Sequence, residues 1–196
     1  MNDSLDPLPD ALLTESGPVC ARLLHHGMST FRDACAWVRA LPYGSNAGRG
    51  PLVVVDERRG TCRSKHGLIA MAAAELDLPV YQYVGAYRLD ESIIEGAAAM
   101  LAQHGLTYVP QLHCVLKHRD RFFDLTAGNC HGKKQDITEM DIYFRVSPFA
   151  SEAEHRALYA LCVRYYQQRD PVFPWHGVEE LRSIARECLL RGQMTC

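Results

Sequence analysis

One cysteine, one histidine and one aspartate stand where a thiol enzyme would need them. Cys62 follows Gly60-Thr61 and opens a run of small and apolar residues that reads as a helix from Cys62 to about Leu76. Thr61 is a suitable N-cap for that helix, and Gly60 lets backbone or substrate approach closely. The unpaired N–H groups of a helix N-terminus favour a thiolate over a thiol. His113 begins one predicted strand and Asp124 lies on the next, between Phe123 and Leu125. Strands disfavour aspartate, so one placed there usually has a partner. A carboxylate beside an imidazole sets its tautomer and supports its charged form. Together the three residues suit attack of Cys62 on a carbonyl, with His113 as base and Asp124 orienting it. The plainer alternatives are a small buried cysteine and a surface hairpin with incidental polar residues.

Such a site needs donors for the developing oxyanion. The Cys62 backbone N–H is one, and Gln111, Tyr43 and Asn46 are candidates for a side-chain donor. Lys65 and His66 lie three and four residues beyond Cys62 and share its helix face. A cation there would favour the thiolate or bind an acidic substrate; the alternative is a solvated lysine and a packed histidine.

Two other functions compete. Cys62, His66, His113, Cys114, Cys130 and His131 carry metal-ligating groups, but no Cys-x-x-Cys or His-Glu-x-x-His spacing occurs. The expectation is no metal and no cofactor. A non-catalytic binding module is the second rival, and the presence of all three residue types in order disfavours it. The expected partner is a peptide, protein or small amide or ester substrate. The formal net charge of -2 argues against a broad grip on nucleic acid. No apolar stretch suits a bilayer span. Eight cysteines at irregular positions, with no secretory pattern at Met1–Asp6, lead to an expectation of reduced thiols and a cytoplasmic location.

The elements that must position these residues can be read from periodicity. Helices are expected from Asp10 to about His26 and from Ser29 to Leu41, the second closed by Pro42. Leu52 to Val55 reads as a short strand, and Val80 to Leu89 as a longer one. Ser92 to His104 reads as a helix. Tyr108 to Lys117 and Arg121 to Thr126 form a predicted β-hairpin. An even turn at His118-Arg119 or at Arg119-Asp120 keeps His113 and Asp124 on one face, whereas an odd loop without a bulge separates them. Gly128 to Asp136 reads as polar loop. Helices at Ser151–Gln168 and Val178–Leu190 complete the chain. Tyr159, Tyr165, Tyr166, Phe173 and Trp175 in this tail suit core packing, or docking of a partner. The length of 196 residues suggests one domain, with a core at about 29–128 and a helical extension at about 150–192. The order of elements points to α+β, an antiparallel sheet packed on helices.

Gly60-Thr61-Cys62 with its helix resembles the nucleophile motif of the transglutaminase-like superfamily. His113 and Asp124-Leu125-Thr126 look like that superfamily's histidine and aspartate motifs. The segment Trp37-Val38-Arg39-Ala40-Leu41-Pro42-Tyr43 is similar to the helix and Pro-Tyr turn that precede the cysteine. The resemblance runs from about Phe31 to Thr126. It implies a papain-like core, with the sheet packed against the cysteine-bearing helix, and acyl transfer from amides or esters to water or an amine. Cys114 and Val115 stand where the family often has an aromatic residue, and the aspartate motif lacks its usual proline. The run Gly60–His66 is similar to a bacterial branch of the superfamily, from which no substrate is carried over.

Overall fold

The computed structural model describes residues 4–126, 133–134, 137, 139–170, 173 and 176–194. The described residues form an α+β fold of seven helices and a four-stranded antiparallel sheet. In chain order these are α1 (Pro18–His25), α2 (Phe31–Ala40), α3 (Val53–Glu57), α4 (Cys62–Glu75), β1 (Val80–Leu89), α5 (Ala97–Gln103), β2 (Val109–His118), β3 (Arg121–Phe123), β4 (Ile142–Arg145), α6 (Glu152–Arg169) and α7 (Val178–Met194). The strand order in the sheet is β3-β2-β1-β4. The chain divides into two compact units. One holds 1–84, 114–129 and 144–149; the other holds 85–113, 130–143 and 150–196.

In the first unit α4 is the hub. Its small residues leave it wholly buried over much of its length, with Leu68, Ile69, Ala72 and Ala73 at 0% exposure. Leu116, Phe123 and Leu125 from the β2–β3 hairpin share this core with Phe31 and Val38 of α2. Burying a side chain of that size contributes about 1.5–3 kcal/mol. Polar ties reinforce the packing. The Glu75 carboxylate accepts the N–H groups of Val19 (3.0 Å) and Cys20 (2.7 Å) at the start of α1. Thr30 caps α2 in a reciprocal capping box with Asp33.

Several expectations from periodicity change. Val53–Val55 form a helical turn, not a strand: all three are buried, and a short apolar run cannot be told from a buried helix by pattern alone. α1 starts at Pro18 rather than Asp10, because Leu12 bridges to Thr30 in extended form. α5 starts at Ala97 rather than Ser92. Before it, the Asp90 carboxylate accepts the N–H and hydroxyl of Ser92, and the Glu91 carboxylate accepts the N–H groups of Gly96 and Ala98. These local bonds compete with helix. β4 was not expected from the sequence; four residues are too few for alternation to show. The predicted loop at Gly128–Asp136 lies almost wholly outside the described residues.

The hairpin turn is even. Leu116 pairs with Phe123, Lys117 with Phe122 and His118 with Arg121. The turn is therefore Arg119-Asp120, with Arg119 at φ 53, one of the two registers expected.

In the second unit, α6 begins at the N-cap Ser151, whose hydroxyl and the Glu154 side chain form a capping box. Tyr159, Tyr166 and Phe173 are buried. The Tyr166 hydroxyl donates to Asp141 Oδ2 (2.6 Å) and that of Tyr159 to the Pro110 carbonyl (2.9 Å). These aromatics serve the core; Trp175 lies outside the described residues.

Candidate functional site

The nucleophile candidate sits where the sequence places it. Thr61 is the N-cap of α4 and Cys62 its first residue. The Thr61 N–H donates to Ser64 Oγ at 3.0 Å, one arm of a capping box. Gly60 is needed for this close approach: a Cβ there would lie 2.7 Å from Ser64 Oγ and 3.2 Å from Val54 Cγ2. Gly60 also exchanges backbone bonds with the Pro-Tyr turn, donating to the Pro42 carbonyl and accepting from the Gly44 N–H, each at 3.2 Å. Tyr43 is thereby held beside Gly60, two residues from the thiol.

Cys62 is half-buried, whereas Cys20, Cys35, Cys114, Cys162 and Cys188 are buried. Burial pushes the Cys20 and Cys162 thiols up to about 12 and that of Cys188 to about 11. It raises Cys35 as well. Cys114 is held well above the ordinary thiol range by its hydrogen bond to the Cys62 side chain, and then by burial. Cys62 is the most accessible thiol among the described residues. Cys130 and Cys196 lie outside them.

Asp124 follows the last residue of β3 and is buried. Its Oδ1 accepts from the Thr126 N–H (2.7 Å) and hydroxyl (2.6 Å), so the Asp-Leu-Thr segment closes a local turn that fixes the carboxylate. His66 brings this turn to α4. The Leu125 N–H donates to His66 Nε2 at 2.7 Å, and His66 Nδ1 lies 2.6 Å from the Cys62 carbonyl. An Nε2 that accepts a backbone N–H carries no proton, so Nδ1 carries it and donates to Cys62. The 3.5 Å separation of His66 Nε2 and Asp124 Oδ1 is thus not a charged pair.

This corrects two substrate-contact candidates. His66 is wholly buried and both ring nitrogens are engaged. Lys65 is also wholly buried, and its Nζ donates to the carbonyls of Leu41 (2.5 Å) and Arg39 (3.4 Å) at the end of α2. Burial pulls its pKa from 10.5 down to about 8, opposed by attraction to Asp124. It is neither a solvated lysine nor placed to meet a substrate. Asn46 is corrected on the same ground. Its Nδ2 donates to Glu57 Oε2 (3.2 Å) and the Arg59 carbonyl (2.9 Å), while Oδ1 accepts from Ser64 Oγ (2.9 Å). Both amide protons are spent, so it braces the loop before α4 and donates to no oxyanion.

His113 and Gln111 lie on β2 in the second unit. His113 is buried, and its ring stands edge-on to Tyr87 with centroids 6.5 Å apart. Gln111 is half-exposed and lines a cavity with residues of α6 and α7.

Gln82 is a supporting residue that no motif or spacing around Cys62 singles out. It is buried on β1 and donates from Nε2 to the Arg63 carbonyl at 3.1 Å, supporting the first turn of α4. The signal available was a glutamine among the apolar and aromatic residues Val80–Leu89. Nor does sequence spacing show the contact between Cys62 and Cys114.

Among the described residues no group of three or more His, Cys, Asp or Glu is arranged to hold a metal ion, and His131 lies outside them with Cys130. No described helix is long and apolar enough to cross a membrane. Comparison of the chain with protein-family models, with curated proteins and with solved structures finds no match in any of the three.

Proposed function

We propose that the protein is a thiol-dependent acyl-transfer enzyme of transglutaminase-like type, with a papain-like core. Cys62 is the nucleophile, His113 the general base and Asp124 the residue that orients the histidine. The observation that carries this reading is the placement of Cys62. It is the first residue of a helix, half-buried, and burial raises every other described cysteine. The fixed, buried carboxylate of Asp124, tied to the same helix turn through Leu125 and His66, supports it further.

In the reaction, His113 takes the Cys62 proton and the thiolate attacks the carbonyl carbon of an amide or ester. The Cys62 N–H stabilises the oxyanion, and with Asn46 engaged the side-chain donor is Tyr43 or Gln111. Collapse forms a thioester and expels the amine or alcohol, which takes the proton from His113. Water or a second amine then attacks the thioester, giving its proton to His113, and the Cys62 thiol is restored.

The test compares wild type with Cys62→Ser, His113→Ala and Asp124→Asn on a panel of peptide, ester and glutamine-containing substrates. Each substitution is expected to lower kcat/KM by about 10²-fold or more. In Asp124→Asn the amide oxygen still accepts from Thr126, so folding should persist while activity falls. Full activity in Cys62→Ser would end the reading.

A further inference from the structure

In the second unit, residues of α6 and α7, with Gln111 of β2, line a half-open cavity of about 470 Å³, the size of a small-molecule site. Its floor is β2. Gln111 reaches into the cavity from that strand, and buried Tyr159 of α6 anchors beside it by donating to the Pro110 carbonyl. Its walls are two helix faces. Glu179, Arg182, Ser183 and Arg186 repeat at i, i+3, i+4 and i+7 on α7, and Glu152, Arg156 and Tyr159 at i, i+4 and i+7 on α6.

The charges do not cancel. Arg182 pairs with both Glu152 and Glu179, and Arg156 lies 3.7 Å from Glu152. Three arginines thus face two glutamates, and Arg186 makes no ion pair among the described residues. A planar guanidinium of this kind matches a carboxylate through two parallel hydrogen bonds. The Ser183 hydroxyl and the Gln111 amide add neutral donors along the same wall and floor.

We propose that this cavity binds a carboxylate, held by Arg186. A single excess positive charge suits one carboxylate. The proposal does not rest on the acyl-transfer reading.

Glutaramate, an amide with a carboxylate at its far end, is the probe. Its neutral counterpart is glutaramide. Calorimetric titration onto the whole chain should show glutaramate binding at least tenfold tighter than glutaramide, and equally well to wild type and Cys62→Ala. Arg186→Gln should weaken glutaramate at least tenfold and leave glutaramide unchanged. Arg186 is exposed, so the variant should fold, and its thermal midpoint is measured alongside. Equal affinities for the two probes, no binding of glutaramate, or an unaltered Arg186→Gln variant would overturn the proposal. So would tighter binding of inorganic phosphate than of glutaramate, which would make this a phosphate site. Loss of the acyl-transfer reading shows differently: Cys62→Ser would keep its turnover while glutaramate binding stayed intact.

Discussion

His66 Nε2 accepts the backbone N–H of Leu125 at 2.7 Å, and through that bond the turn holding Asp124 is fastened to the helix that begins at Cys62. The same ring closes on the Cys62 carbonyl through Nδ1. A residue four positions beyond a nucleophile candidate is therefore a clamp, not a substrate contact. We expect His66→Ala to leave a buried N–H unpaired and to open a cavity. It should lower unfolding free energy by about 2–4 kcal/mol, with the unpaired group alone costing about 1–3. Urea unfolding checks this. A loss below 0.5 kcal/mol, roughly what a surface substitution gives, would show that the clamp is unimportant.

Thiol chemistry tests the site without a known substrate. Brief iodoacetamide labelling near pH 6, followed by peptide mapping, should modify Cys62 ahead of Cys20, Cys35, Cys114, Cys162 and Cys188. Their burial both shields them and raises their pKa values. Preferential labelling of any of these five would sink the nucleophile assignment.

Lys65 makes stability depend on alkaline pH. Its folded pKa is pulled down to about 8 from 10.5, so the unfolded chain holds this proton more tightly than the folded one. Between those values the unfolded state binds more protons, and stability rises with pH. The penalty is present in full below pH 8 and relieved as pH rises toward 10.5. Relative to Lys65→Met, wild type should therefore gain on the order of 3 kcal/mol between pH 7.5 and 10.5 at about 1.4 kcal/mol per pKa unit. Paired urea titrations across that range give the difference. A flat difference would mean that the ammonium is not desolvated.

Gly60 is constrained by space. A Cβ placed there meets Ser64 Oγ at 2.7 Å and Lys65 Cγ at 3.1 Å, so Gly60→Ala must push the first turn of α4 away from its cap. We expect a loss of about 1–3 kcal/mol, together with slower iodoacetamide labelling of Cys62. Unchanged stability and labelling would show that the turn yields freely.

What could be read from the sequence was local. The start of α4 at Cys62 followed from Gly-Thr and a run of small residues, because capping and helix propensity act within a few positions. The β2–β3 hairpin followed from alternation around a charged turn, whereas strand parity said only that an even loop keeps His113 and Asp124 on one face. The α+β class followed from the order of elements. Tertiary structure decided the rest. Whether Val53–Val55 formed a strand or a helix depended on what lay against them. Lys65, His66 and Asn46 carried the right chemistry near Cys62 in sequence. Only the folded chain showed their donors and acceptors engaged by Leu41, Leu125, Glu57 and Arg59. Those partners are distant in sequence or lie in a loop without periodicity. Buried polar groups take whichever partner the fold brings to them, because leaving one unpaired costs more than a hydrogen bond returns.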